Sequence, residues 1–183
     1  MVLRREKFRE LKSLVEKRND DEVWALYGLI ESELKARGKI RSRNLTSERG
    51  EAMAIEIYRK TRGEPKLQLA PPGTKNVDAL SREGKRYSIK TVRFSRTTGT
   101  FQADDFSEKR FDYLVVVVLD EYYQPVKILE ASWEAVNRHK KYHKTMKAFN
   151  ISLTEKFMNE CRVVYSSMIT KMSRPRSGAI ART

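Results

Sequence analysis

The sequence predicts an α/β sandwich: a central mixed β-sheet flanked by helices, preceded by an N-terminal helical segment. Three observations predict it. Phe111-Asp112-Tyr113-Leu114-Val115-Val116-Val117-Val118-Leu119-Asp120 is a continuous apolar run, and a strand apolar on both faces belongs inside a sheet covered on both sides. Val77 and Ala79-Leu80, the polar Ser81–Arg86 turn with Gly84, and the alternating Tyr87-Ser88-Ile89-Lys90-Thr91 read as a β-hairpin. Stretches with apolar residues at helical spacing precede and follow these strands, which gives the layered order of a sandwich.

At 183 residues, 39% hydrophobic and 34% charged, the chain is one globular domain's worth with a real core. It divides into an N-terminal helical segment at 1–40 expected to pack on the core, a core at 41–165, and a basic tail at 166–183. No run of about 18 apolar residues is present, which predicts no membrane span. Met1-Val2-Leu3-Arg4-Arg5 leads straight into a charged helix rather than a signal peptide, so the expected location is cytoplasmic. The single Cys161 excludes an internal disulfide and a cysteine-built zinc site, and reads as a core thiol. The net charge of +14 points to a polyanionic partner, nucleic acid first, against the plainer reading of a solvated basic surface. From Ile57 to Arg96 eleven Lys and Arg face only Glu64, Asp78 and Glu83, so the excess gathers around the hairpin.

Taken in order, residues 3 to 37 read as two amphipathic helices. Phe8, Leu11, Leu14 and Val15 form one stripe, and Val23, Leu26, Tyr27, Ile30 and Leu34 form the next, with a break and cap at Asn19-Asp20-Asp21. The second is expected to cover a face of the sheet, the other reading being an arm that dimerises or contacts DNA. A helix over 48–62 follows, stopped by Gly63-Glu64-Pro65. On it Glu51 shares a stripe with Ile55 and Tyr58, and a carboxylate on a core-facing stripe needs a reason. One reason is favourable charge near the helix N-terminus; the other is a ligand role. Lys66–Ala70 predicts a short strand and Pro71-Pro72-Gly73 a turn into the hairpin. Ser95–Gly99, with Arg93 and Arg96, is a basic loop suited to phosphates. Asp104, Asp105 and Glu108 read as the start of a short helix. Beyond the Val-rich strand, Glu121–Gln124 turns into a strand over 125–130, and Ser132 caps a helix. Arg138–Lys147 holds five bases and no acid, a phosphate-contacting patch. His139 and His143 stand at i, i+4, as two ligands on one helix face would, but no third ligand lies nearby. A last helix opens at Ile151–Glu155 with Leu153, Phe157 and Cys161 on one side, and the tail from Ser173 is expected to be disordered.

The chemistry concentrates in the hairpin. Ser88 and Lys90 share one strand face, and the short turn brings them near Asp78. An acid and a lysine converging on a strand pair can hold a divalent metal and activate water against a phosphodiester.

Asp78 followed by Ser88-Ile89-Lys90 resembles the PD-(D/E)xK nuclease superfamily, to which many restriction endonucleases belong. Thr-Lys-Asn-Val-Asp-Ala (74–79) and Arg-Tyr-Ser-Ile-Lys-Thr (86–91) carry the resemblance, which extends from about Asn44 to Trp133. Val77 replaces the motif's Pro, and Ser88 replaces its second acid. Ser-x-Lys variants of the family take that acid from elsewhere, which implies Glu51 first and Asp104 or Asp105 second. The resemblance implies a restriction-endonuclease-like sandwich and a Mg2+-dependent endodeoxyribonuclease, Mn2+ substituting, of type II restriction or related defence kind. Asp78, Glu51 and the Ile89 carbonyl would hold the metal, Lys90 would handle the attacking water, and Ser88 would at most bond a metal-bound water. Lys75, Arg93, Arg96, Arg138, Lys140, Lys141 and Lys144 would hold DNA, and a homodimer would serve two antiparallel strands. Two alternatives stay open: a catalytically inactive nucleic-acid-binding module on the same fold, and an interaction subunit with an acidic protein partner.

Overall fold

The computed structural model describes residues 5–40, 44–71, 73–74, 76–93, 101–102 and 109–167. Asp104, Asp105, Glu108, Lys75, Arg96 and the tail from Ser173 lie outside these residues. Among those described, no helix is long and apolar enough to cross a membrane.

The chain is mixed α/β, with a central mixed sheet flanked by helices. Its helices are α1 (Arg5–Glu16), α2 (Asp20–Ala36), α3 (Leu45–Lys60), α4 (Trp133–His139) and α5 (Glu155–Asn159). The strands are β1 (Gln68–Leu69), β2 (Ala79–Leu80), β3 (Arg86–Arg93), β4 (Phe101–Gln102), β5 (Tyr113–Leu119), β6 (Pro125–Ser132), β7 (Lys140–His143), β8 (Ala148–Ile151) and β9 (Arg162–Ser166). Six strands form the main sheet in the order β1-β2-β3-β5-β6-β9, and β4-β8-β7 form a smaller one. β3 and β5 pair in parallel, with Ile89 opposite Val115; the other main-sheet pairs are antiparallel.

The valine run sits in the interior, as expected. Val115, Val116 and Val117 are each fully buried, worth roughly 1.5–3 kcal/mol apiece relative to exposure. Alternation sends them into two cores. Val115 and Val117 join Tyr87, Ile89, Ala79, Ile128 and the α3 residues Met53, Ala54 and Tyr58. Val116 joins Leu114, Val92, Leu129 and the α4 and α5 residues Ala135, Val136 and Phe157 on the opposite face.

Caps follow local chemistry. Asn19 accepts the Glu22 N–H while the Glu22 carboxylate accepts the Asn19 N–H, a reciprocal capping box. Asn44 accepts from Ser47 N to start α3, three residues earlier than the predicted helix, and Ser132 caps α4 as predicted. Gly84 takes φ 78° in the β2–β3 turn, a left-handed conformation that favours glycine.

Three expectations are corrected. α4 ends at His139 and Lys140–His143 is extended, so His139 and His143 do not share a helix face. The last helix is only Glu155–Asn159: Ile151 closes β8, and Arg162–Ser166 forms β9 at the sheet edge, where pairing with β6 outweighs helical continuation. The apolar face of α2 does not form a layer over the sheet. Val23, Tyr27, Leu29 and Ile30 are exposed, as are Leu11, Leu14 and Val15 on α1, and α1 sets Phe8 against the exposed Tyr122 of the β5–β6 turn, at 4.2 Å between centroids.

Candidate functional site

The β2–β3 hairpin forms in the predicted register, Ala79 opposite Tyr87 and Leu80 opposite Arg86. Asp78 lies one residue before β2, not inside it. Asn76, at φ 58°, turns the chain into this position, a conformation that asparagine tolerates. The Asp78 N–H donates to Tyr87 O at 2.8 Å, and its carbonyl accepts from Ala70 N at 3.0 Å. Its carboxylate does a neighbouring strand's work. Oδ2 accepts the Ile89 N–H at 2.6 Å and a longer contact from Ser88 Oγ at 3.4 Å. Regular β2–β3 pairing stops here, and the side chain takes over the strand donor that the backbone leaves. Both contacts use Oδ2, so Oδ1 accepts from no described residue.

Ser88 is buried and Lys90 half-buried. By alternation both lie on the face opposite α3, while Tyr87, Ile89 and Thr91 face α3. The hairpin therefore brings Asp78, Ser88 and Ile89 into direct contact and sets Lys90 two residues further on, on the face of Ser88.

α3 brings Glu51. Gly50 is buried against β3 so closely that a Cβ there would lie 1.8 Å from Thr91 Oγ1. That contact fixes where the first half of α3 crosses β3 and places half-buried Glu51 beside the crossing, next in sequence to Gly50. Glu56, five residues further along α3, is partly exposed and pairs with Lys60 at 2.5 Å.

A network that the sequence reading missed anchors the other half of α3. Glu130, on β6 and buried, accepts from Tyr58 Oη at 2.7 Å and from Arg162 Nε and Nη2 at 3.0 and 2.8 Å. Arg162 also grips both carboxylate oxygens of Glu64. Burial, and then the Glu130 carboxylate, push the Tyr58 hydroxyl far above its ordinary range, so it serves as a donor throughout the working pH range. The available signal was Glu130 itself, in phase with Ile128 on a core-facing strand position. At the start of β5, Asp112 is bonded by the Arg86 N–H at 2.9 Å. Burial pushes its carboxyl up, but the Arg86 backbone and guanidinium bonds outweigh that and hold it below its ordinary value.

No protein-family model and no curated protein matches the chain. The site's chemistry therefore rests on its own geometry. Among the described residues, no three His, Cys, Asp or Glu side chains form a group that could hold a metal ion. Asp78 has one carboxylate oxygen, Oδ1, that accepts from no described residue; a hydrated Mg2+ keeps several waters and takes only one or two carboxylates.

The predicted DNA contacts separate into two places. Arg93 is exposed at the end of β3, its guanidinium 4.6 Å above the Tyr123 ring. Arg138, Lys140, Lys141 and Lys144 lie along α4, β7 and the following turn, on the side of the sheet that carries α5. Arg138 is tied to Glu160 at 2.5 Å, and Lys140 bonds Asn137 at 2.6 Å and overlies Phe149. Lys141 and Lys144 are exposed. His139 also meets Glu160, at 2.8 Å, and so joins the hydrogen-bonded cluster of Arg138 and Glu160.

Proposed function

We propose that this chain is a metal-dependent DNA endonuclease on a restriction-endonuclease-like sandwich, of type II restriction or related defence kind. The observation that carries the proposal is the Asp78 carboxylate. It is fixed through Oδ2 to the Ile89 N–H, its Oδ1 accepts from no described residue, and Lys90 follows on the face of Ser88. Asp78, Glu51 and the Ile89 carbonyl would hold Mg2+, with Glu51 reaching it from the α3 face of the sheet, opposite the face of Ser88 and Lys90. A bound Mg2+, or Mn2+ in its place, supplies Lewis-acid polarisation of the phosphodiester and a more acidic water. Lys90 orients the attacking water and offsets negative charge that develops on the phosphate. Ser88 holds the Asp78 carboxylate in place. Lys75, Arg93, Arg96, Arg138, Lys140, Lys141 and Lys144 would grip the sugar-phosphate backbone, in keeping with a net charge of +14.

A second reading has its own observation. Ser88 occupies the position of an acid, and no ready-made group of three ligands is found among the described residues. This favours a nucleic-acid-binding module that has lost catalysis. The deciding experiment incubates supercoiled and linear DNA at low salt with Mg2+ or Mn2+, against EDTA, for the wild type, Asp78→Asn and Lys90→Ala. Metal-dependent cleavage lost in both variants supports the nuclease. Absent cleavage with salt-sensitive DNA binding supports the binding module.

A further inference from the structure

Two helices at the front of the chain carry apolar faces that the core does not cover. On α2 the stripe Val23, Leu26, Tyr27, Ile30 and Leu34 recurs at three- and four-residue spacing; Ile30 is 57% exposed and the flanking Leu29 is 66% exposed. Leu26, Leu29, Ile30 and Leu34, with Glu33 and Arg37, line a shallow concavity on this face. α1 presents Leu11, Leu14 and Val15, each more than two-fifths exposed. The two helices do not bury each other's stripes, although only Lys17-Arg18-Asn19 joins them and the Asn19–Glu22 capping box fixes the entry to α2. Soluble monomers rarely leave such a contiguous patch in water.

Charge selects the occupant. α2 carries five acids against one base, in a chain that is otherwise strongly basic. α1 and its connection through Arg18 carry six bases against three acids. An acidic helix repels nucleic acid and acidic proteins, and it attracts a basic amphipathic helix. The chain itself contains one in α1, with four bases against three acids, extended by Lys17 and Arg18 of the connection.

We propose that α1 and α2 form a homodimerisation arm, in which α1 of one copy lies on the apolar, acid-rimmed face of α2 of a second copy. A two-fold axis makes this contact twice, each copy giving its α1 and receiving its partner's. The α1 stripe from Phe8 to Val15 spans about 10 Å and the α2 stripe from Val23 to Leu34 about 17 Å, so one helix fits within the other's length. The proposal does not depend on nuclease activity.

The test is sedimentation equilibrium and light scattering of the full chain across a wide concentration range, for the wild type, Leu14→Asp and Ile30→Asp. Each substitution is at an exposed position, so the melting temperature should hold. The expected result is a wild-type dimer whose dissociation constant rises at least about 30-fold in either variant. A second pair of chains guards against misfolding: Glu31→Lys/Glu33→Lys in one and Lys7→Glu/Lys12→Glu in the other. Each should self-associate more weakly than wild type, and mixing them should restore a dimer. A wild-type chain that stays monomeric, a dimer indifferent to Leu14→Asp and Ile30→Asp, or a failure of the mixed pair to associate would overturn the proposal.

Discussion

A side chain on Gly50 would meet Thr91: a Cβ there would fall 1.8 Å from Oγ1 and 2.7 Å from Cβ of that residue. Helix α3 and strand β3 therefore pack with no room for a side chain at Gly50, one residue before Glu51. Gly50→Ala should push the helix off the strand and destabilise the fold by about 1–3 kcal/mol, a typical overpacking cost. Thr91→Ala should recover only part of that loss, because its own Cβ stays too near. A double-mutant cycle read by chemical denaturation checks the coupling.

Asp78 has a structural task as well as a proposed chemical one, and two substitutions separate them. Asp78→Asn keeps an oxygen for the Ile89 N–H and loses the charge. It should lower any metal-dependent cleavage by at least about 100-fold with little change in melting temperature. Asp78→Ala leaves that N–H without its acceptor and should also cost about 1–3 kcal/mol of stability. Comparing the two variants in cleavage and unfolding assays distinguishes the roles.

The Glu130 network is expected to matter to stability and not to chemistry. Glu130→Ala removes the acceptor of Tyr58 and one of the two carboxylates that hold Arg162, which keeps Glu64, and should cost about 2–3 kcal/mol. Tyr58→Phe leaves Glu130 its Arg162 contacts and should cost roughly 1–2 kcal/mol. Urea unfolding of both variants gives the order; equal effects would mean that Arg162 adds nothing.

The cluster of Glu160 with His139 and Arg138 gives a pH signature. The bond from His139 first, and then that from Arg138, hold the exposed Glu160 carboxyl down from 4.5 to about 2. A carboxyl depressed in the folded state adds stability above its unfolded value and loses it as pH falls through its folded value. The melting-temperature gap between wild type and Glu160→Gln should thus begin to close below about pH 4.5 and vanish near pH 2.

If nucleic acid is the partner, the exposed Lys141 and Lys144 offer a direct readout. Replacing both with Gln should weaken binding uniformly across sequences. It should also reduce the slope of log affinity against log salt by about 0.9 for each duplex DNA phosphate that the protein no longer neutralises. An unchanged slope would place the binding face elsewhere.

The hairpin was legible because its information is local. Alternation from Tyr87 to Thr91 and a Gly-bearing turn fix a register within a few residues, and the valine run needs no partner to announce burial. Long-range pairings were not legible. Glu130 finds Arg162 and Tyr58 through the fold, and nothing near it in sequence names either. Lys140–His143 carries charges that suit a helix face or an exposed strand equally, so its basic run hid β7. The stripes of α1 and α2 declared that they need burial but not against what, since periodicity reports a face and not a neighbour.

The parallel pairing of β3 with β5 also shapes how the molecule is assembled. Residues paired there, such as Ile89 and Val115, share the 26-residue offset that separates Arg86 from Asp112. The β2–β3 and β5–β6 hairpins close over short loops, and each can form early on a microsecond scale. Joining them requires closing the intervening chain before any packing repays the lost entropy. Docking of two preformed hairpins is therefore the expected rate-limiting event, and Asp78 would meet Ile89 before the sheet around them is complete.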